Sequence, residues 1–190
     1  MKRILLLVLL ASFPNTTSQA QEKLNISLAH GSPAEQQTKD QLQRLLAAYD
    51  LSKWIFTRSI IIDEQAIPHS HPTLTLHTRH RKDDELLLSA FVHEQLHWFI
   101  VQRDKDSEAA MKELRVVFPK IPVGFPEGSN DEAGNYEHLL VVYLEYQADR
   151  ELLGIKGPAG NGFLGHRSLH LDLQNRPGAD PGHRQYRVQV

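Results

Sequence analysis

Leu86-Leu87-Leu88-Ser89-Ala90-Phe91-Val92-His93-Glu94-Gln95-Leu96-His97-Trp98-Phe99-Ile100 is the stretch that decides how this chain folds. Asp83 and Asp84 precede it as helix-capping residues, and the pattern predicts a helix running to about Val101. That helix is apolar nearly all round, so it belongs at the centre of the fold. It also carries His93-Glu94-Gln95-Leu96-His97, an H-E-x-x-H motif. Two histidines four residues apart project from one helix face, one turn apart. Two imidazoles so placed can bind a single Zn²⁺ at about 2.0–2.1 Å. Glu94 points beside that face, where a carboxylate can hold and deprotonate a metal-bound water whose pKa the zinc has lowered towards about 7. Burying two histidines and a glutamate among leucines is costly unless a metal and its water satisfy them.

A zinc site needs a third protein ligand and an open fourth position. Tyr136 to Leu153 reads as a second strongly apolar helix, closed by Gly154. Between His138 and Asp149 its only charged residue is Glu145. His138, Glu145 and Asp149 fall near one face. Glu145 is the favoured third ligand and His138 its rival. Asp149 is placed to accept the N–H of His93 or His97 and fix its tautomer. Tyr136 and Tyr143 are candidate oxyanion donors, with core or rim packing as the plainer reading of each.

The composition agrees with nitrogen and oxygen ligands. Of 190 residues, 41% are hydrophobic and 23% charged, with a net charge of −2, as in an ordinary globular domain. There is no cysteine, which excludes disulfides, a cysteine nucleophile and thiolate metal sites. The near-neutral charge argues against a nucleic-acid partner. Eleven histidines are the one excess. His69, His71, His77 and His80 crowd together, and His69-Ser70-His71 share a strand face that can bind metal weakly; a polar loop and strand near the cleft is the favoured reading. Trp98 reads as core.

Outward from the two helices, residues 1–20 have the layout of a secretory signal peptide. Lys2 and Arg3 precede the apolar run Ile4 to Leu10, and Ser18-Gln19-Ala20 offers a cleavage site. The expectation is export to the periplasm or beyond, with no stable membrane insertion after cleavage. Leu24 to Ala29 is a weak strand. Ser32-Pro33-Ala34-Glu35 starts a helix with a capping box and runs to about Tyr49. Trp54 to Ile62 and Thr73 to Thr78 read as two strands paired with one another. Ser107 starts a short helix ending before Pro119, and Phe118 to Asn135 is a long loop. Residues 157–190 lose apolar periodicity and read as a poorly ordered tail, leaving 21–156 as the domain. The predicted class is α+β, with a small antiparallel sheet packed on the motif helix and the third-ligand helix.

H-E-x-x-H at 93–97, followed by Glu145-Tyr-Gln-Ala-Asp149 on a second helix, resembles the gluzincin zinc metallopeptidases. The resemblance rests on these two motifs and the order of elements. It implies a zincin-like fold, one zinc per chain, His93, His97 and Glu145 as ligands, Glu94 as general base and Asp149 as the carboxylate supporting a ligand histidine. It implies a peptide or protein substrate bound by strand addition to an edge strand before the motif helix, where Thr73 to Thr78 lies. Many members carry a transition-state-stabilising His or Tyr after the third-ligand helix; here no clear counterpart follows it. The alternatives are a non-catalytic exported zinc-binding protein and an inactive peptidase-like interaction domain.

Overall fold

The computed structural model describes residues 24–124 and 131–154. The expected signal peptide, the tail over 157–190 and its His166, His170 and His183 lie outside the described residues. In chain order the elements are β1 (Asn25–Leu28), α1 (Pro33–Ala48), a 3-10 turn (Ser52–Trp54), β2 (Ser59–Ile62), β3 (Leu74–Leu76), a second 3-10 turn (Thr78–His80), α2 (Asp84–Gln102), α3 (Asp104–Val117) and α4 (Glu132–Leu152). The class is α+β: four helices and one three-stranded sheet of order β1-β2-β3 among the described residues.

The sheet is parallel throughout, not antiparallel as the sequence suggests. Alternation reports which face a residue occupies and says nothing of strand direction. It does report the face correctly. Ile26, Ile60 and Leu74 stand in one row and Leu28, Ile62 and Leu76 in the next, all on one side. Five of these six are buried, with Leu28 packed at the margin. What misleads is the connection. Only residues 63–73 separate β2 from β3, with no helix, and parallel neighbours usually need a dozen residues or more. The segment is turned back by local bonds: Asp63 Oδ1 accepts from the amides of Gln65 at 2.8 Å and Ala66 at 3.2 Å, and Glu64 N–H donates to Glu35 Oε1 at 3.2 Å. The first of the two strands is also shorter than its apolar run, because Trp54 belongs to the 3-10 turn and lies in the core.

The starts of α1 and α2 are as the sequence dictates. Ser32 caps α1 and Glu35 completes the box, while Asp83 accepts from Leu86 N–H at 3.0 Å to cap α2. Gly154 sits just past α4 at φ +66, the conformation that favours glycine there. α3 begins at Asp104, three residues before Ser107, which is buried and donates to the Ile100 carbonyl at 3.1 Å. α4 begins at Glu132 behind an Asp131 cap, inside the stretch expected to be loop. α2 contributes eleven buried residues and packs on α1, β3, α3 and α4, so it is the central element.

Candidate metal centre

Ser89, His93 and His97 recur every four residues and form one stripe along α2. α4 lies antiparallel against that stripe. Asp149 and Glu145 meet Ser89, Glu145 and His138 meet His93, and His138 and Glu137 meet His97. Buried Ala148 and Val141 line the same interface, and the small Ala148 side chain suits close approach of the helices.

Three imidazoles converge there. The His93 ring centroid is 5.1 Å from that of His97 and 5.1 Å from that of His138, and the last two are 5.7 Å apart. Each offers a ring nitrogen, and the three nitrogens lie within 4.8 Å of one another, a group that can hold a metal ion. The His138 Nε2 atom is buried. Of the two candidates for third position, His138 is in this cluster and Glu145 stands behind it.

Glu145 is engaged on both oxygens. Its Oε2 lies 2.9 Å from His93 Nδ1 and its Oε1 lies 2.6 Å from Ser89 Oγ. With Glu145 ionised, His93 Nδ1 donates to it and the ring's other nitrogen, Nε2, carries the lone pair that a metal needs. Glu137 does the same for His97, with Oε1 at 3.4 Å from Nδ1. Asp149, expected beside a ligand histidine, instead reaches Ser89 Oγ at 2.9 Å, so that Ser89 and Glu145 stand between it and His93.

Burial governs the charges. It holds the His93 imidazole down at about 3, with His97 adding to the effect, so the ring is neutral at pH 7. It pushes Glu94 up to about 7, against the attraction of His97, His69 and Arg79. Asp149 is likewise raised to about 7, by burial first and by neighbouring Glu145 second. Glu137 is lowered, chiefly through its bond to His97.

The remaining expectations divide. Tyr136 is not an oxyanion donor in this geometry. It is 1% exposed, its hydroxyl donates to the Phe118 carbonyl at 2.6 Å, and the Arg115 guanidinium covers its ring. Tyr143 is 36% exposed on the surface of α4. His69 and His71 lie near the cluster without joining it. His71 stacks on Trp98 at 4.3 Å, and Trp98 Nε1–H donates to the Ser70 carbonyl at 2.8 Å, so Trp98 bridges to this segment as well as packing. His77 caps the second 3-10 turn by accepting from Arg79 N–H at 2.8 Å.

The outer edge of β3 is occupied. Thr75 N–H donates to the His69 carbonyl at 2.8 Å, and His69 N–H donates to the Thr75 carbonyl at 3.2 Å. In a three-residue strand the central residue presents the outward-facing pair, so the edge expected to receive an extended peptide is taken by the chain itself.

Sequence reasoning did not find three residues around the site. Ser89 is the only polar residue between Glu85 and His93, one turn before the motif, which is a usable signal. Glu137 adjoins His138. Gln95, inside the motif, is fully buried; its Oε1 accepts from Phe56 N–H at 2.7 Å and Thr57 N–H at 2.8 Å, and its Nε2 donates to the Thr57 carbonyl at 2.9 Å. It thereby fixes α2 against the approach to β2. A second group, His30, Glu35 and Asp63, lies within ligand distance, but Glu35 is committed to the backbone amides that start α1 and to Glu64.

No protein-family model matches the chain, and comparison with curated proteins and with solved structures returned no match.

Proposed function

We propose that this chain is a small exported zinc-dependent metallopeptidase that hydrolyses peptide bonds, with His138 in the place that the gluzincin resemblance gives to Glu145. In this reading His93, His97 and His138 hold one zinc and Glu94 is the general base. The observation that carries it is the convergence of three imidazoles beside a buried glutamate. The donor set fits the ion. Tetrahedral zinc at about 2.0–2.1 Å needs ligand nitrogens about 3.3 Å apart, a modest inward adjustment from nitrogens already within 4.8 Å of one another. Three protein ligands leave the fourth position open, as a catalytic site requires. The orienting of His93 by Glu145 and of His97 by Glu137 is the usual outer support of such ligands.

Bound zinc supplies Lewis acidity, polarising the scissile carbonyl and acidifying its water. The chain supplies the proton handling. Glu94, with its carboxyl raised to about 7, has nearly equal readiness to take the water's proton and to return it to the leaving amine. Glu145 and Glu137 each face the Nδ1 of a ligand ring and so aim that ring. Substrate enters by some route other than simple strand addition to β3, or displaces the His69 segment first.

The test is Glu94→Gln. It should retain one zinc per chain and lower hydrolysis of a denatured protein substrate by roughly 10²–10⁴-fold. Hydrolysis at the wild-type rate would end the mechanism. The occupied β3 edge favours one competing reading, a non-catalytic exported zinc-binding protein, under which the wild type binds zinc and cleaves nothing.

A further inference from the structure

We propose that residues 67–72 are an autoinhibitory strap: they fill the groove that an extended peptide takes, on the outer edge of β3 and on the ring of Trp98, and the peptide enters by displacing them. This rests on the reading of the site as a peptidase centre. It goes beyond that reading by naming where the peptide binds and what holds the groove closed.

The strap makes the contacts of a bound strand. His69 N–H donates to the Thr75 carbonyl at 3.2 Å and Thr75 N–H donates to the His69 carbonyl at 2.8 Å, an antiparallel pair beside an otherwise parallel sheet. One residue on, the Ser70 carbonyl accepts from Trp98 Nε1–H at 2.8 Å. One further, the His71 ring stacks on Trp98 with centroids 4.3 Å apart and planes at 25°. Trp98 directly follows His97, a member of the imidazole cluster. His69 is close enough to attract Glu94, and His71 to attract Glu137. The strap therefore crosses the front of the metal centre. It does so with its backbone and one planar side chain, which an extended peptide also brings. The peptide's own amide and carbonyl pair with Thr75, its next carbonyl takes the indole N–H, and the side chain after that, an aromatic or a histidine, covers the Trp98 ring.

The strap is lightly held. None of residues 63–73 is buried, and Ile67 is 83% exposed. The strand that receives it is the opposite, with Leu74, Thr75 and Leu76 all buried. The His69 ring is spent on the strap itself, Nδ1–H donating to the Ile67 carbonyl at 2.8 Å. Lifting the strap removes no core of its own, and segments with few buried contacts open at low cost.

The experiment uses the absence of cysteine from the chain. His69→Cys with Thr75→Cys places two thiols directly opposite one another, where paired Cα atoms lie about 5.5 Å apart, within the span of a disulfide. Denatured casein is offered to the oxidised protein, to the same protein reduced with a phosphine, and to each single-cysteine variant, which carries a thiol without the lock. Hydrolysis should be about tenfold or more slower in the oxidised form than in the reduced form and the single variants, because the lock removes the competent fraction. His71→Ala, which removes the stack on Trp98, should cleave about 2–10-fold faster than wild type. In a protein that cleaves, equal rates in the oxidised and reduced forms, or a His71→Ala rate at or below wild type, overturns the proposal. A second readout needs no catalysis. With Glu94→Gln added to the double-cysteine variant, the indole N–H signals of the two tryptophans are followed by nitrogen-15 NMR as casein is added. The Trp98 signal should move in the reduced form, as its bond to Ser70 is exchanged, and stay in place in the oxidised form. A Trp98 signal that ignores casein in the reduced form, or moves equally in both, overturns the proposal. A wild type that cleaves nothing while the Trp98 signal behaves as stated ends the peptidase reading and leaves the strap standing.

Discussion

The Nδ1 atom of His93 lies 2.9 Å from Oε2 of Glu145, across the packed faces of α2 and α4. Because the carboxylate faces the ring's Nδ1, it stands behind the ring with respect to the cluster and acts through it. Glu145→Ala should therefore leave a protein that still binds zinc, with affinity about 10–100-fold weaker. Chelator competition measures this, and a complete loss of binding would return Glu145 to the ligand set.

Gln95 makes a separate prediction about stability. Its side chain satisfies two amides and one carbonyl of Phe56 and Thr57. Gln95→Leu keeps the volume and the helix but strips those partners. The cost should be about 2–4 kcal/mol, because groups of this kind left unpaired cost about 1–3 kcal/mol each. Urea unfolding of the metal-free protein reads it directly, while the three imidazoles keep their spacing. A loss below 0.5 kcal/mol, about the size of an ordinary surface substitution, would show the staple to be incidental.

The buried carboxyls set the pH dependence of the metal-free protein. Glu94 and Asp149 have pKa values raised to about 7 in the folded chain. Each holds its proton in the folded state over a range where the unfolded chain has lost it. Their stabilising contribution is full below about pH 4 and is lost as pH rises through 7. His93 works in the other sense. With its pKa held at about 3, it costs stability as pH falls below about 6.5, when the unfolded chain takes up a proton that the folded chain refuses. Between pH 6.5 and 8 both carboxyls lose their protons in the folded chain while the unfolded chain loses the rest of the His93 proton, and the two carboxyls outweigh the one imidazole. The urea midpoint of the metal-free protein should fall over that interval, and Glu94→Gln with Asp149→Asn together should flatten the fall. A wild-type midpoint that climbs from pH 6.5 to 8 would contradict the burial of these groups.

Zinc should reverse that slope. Metal needs neutral imidazoles and competes with protons for them, so its stabilisation grows with pH. The two curves, with and without metal, should diverge above pH 6.

The sequence exposes helices and hides direction. Ser32 with Glu35, Asp83 with Leu86 N–H, and Gly154 at its positive φ are local devices, and local devices are legible. The single apolar face of the sheet is legible for the same reason, since Ile60 and Ile62 alternate. Strand direction depended on how 63–73 is tethered, and its tethers are distant: Glu35 holds Glu64, and Trp98 holds Ser70. No window of sequence contains both ends of such bonds. The site divides the same way. His93, Glu94 and His97 were visible from spacing within one helix. The choice between His138 and Glu145 depended on the register of α4 against α2, which sets one at the cluster and the other at the back of a ring. Ser89 carries a local signal as a lone polar residue one turn before the motif, but its role depends on two carboxyls supplied by α4.

The most direct measurement is zinc content after exhaustive dialysis, by elemental analysis, of the wild type and of His138→Ala. The three-imidazole centre requires one zinc per wild-type chain and almost none in folded His138→Ala, since two imidazoles alone do not make a closed set of three. Full zinc in His138→Ala, or none in the wild type, would contradict it.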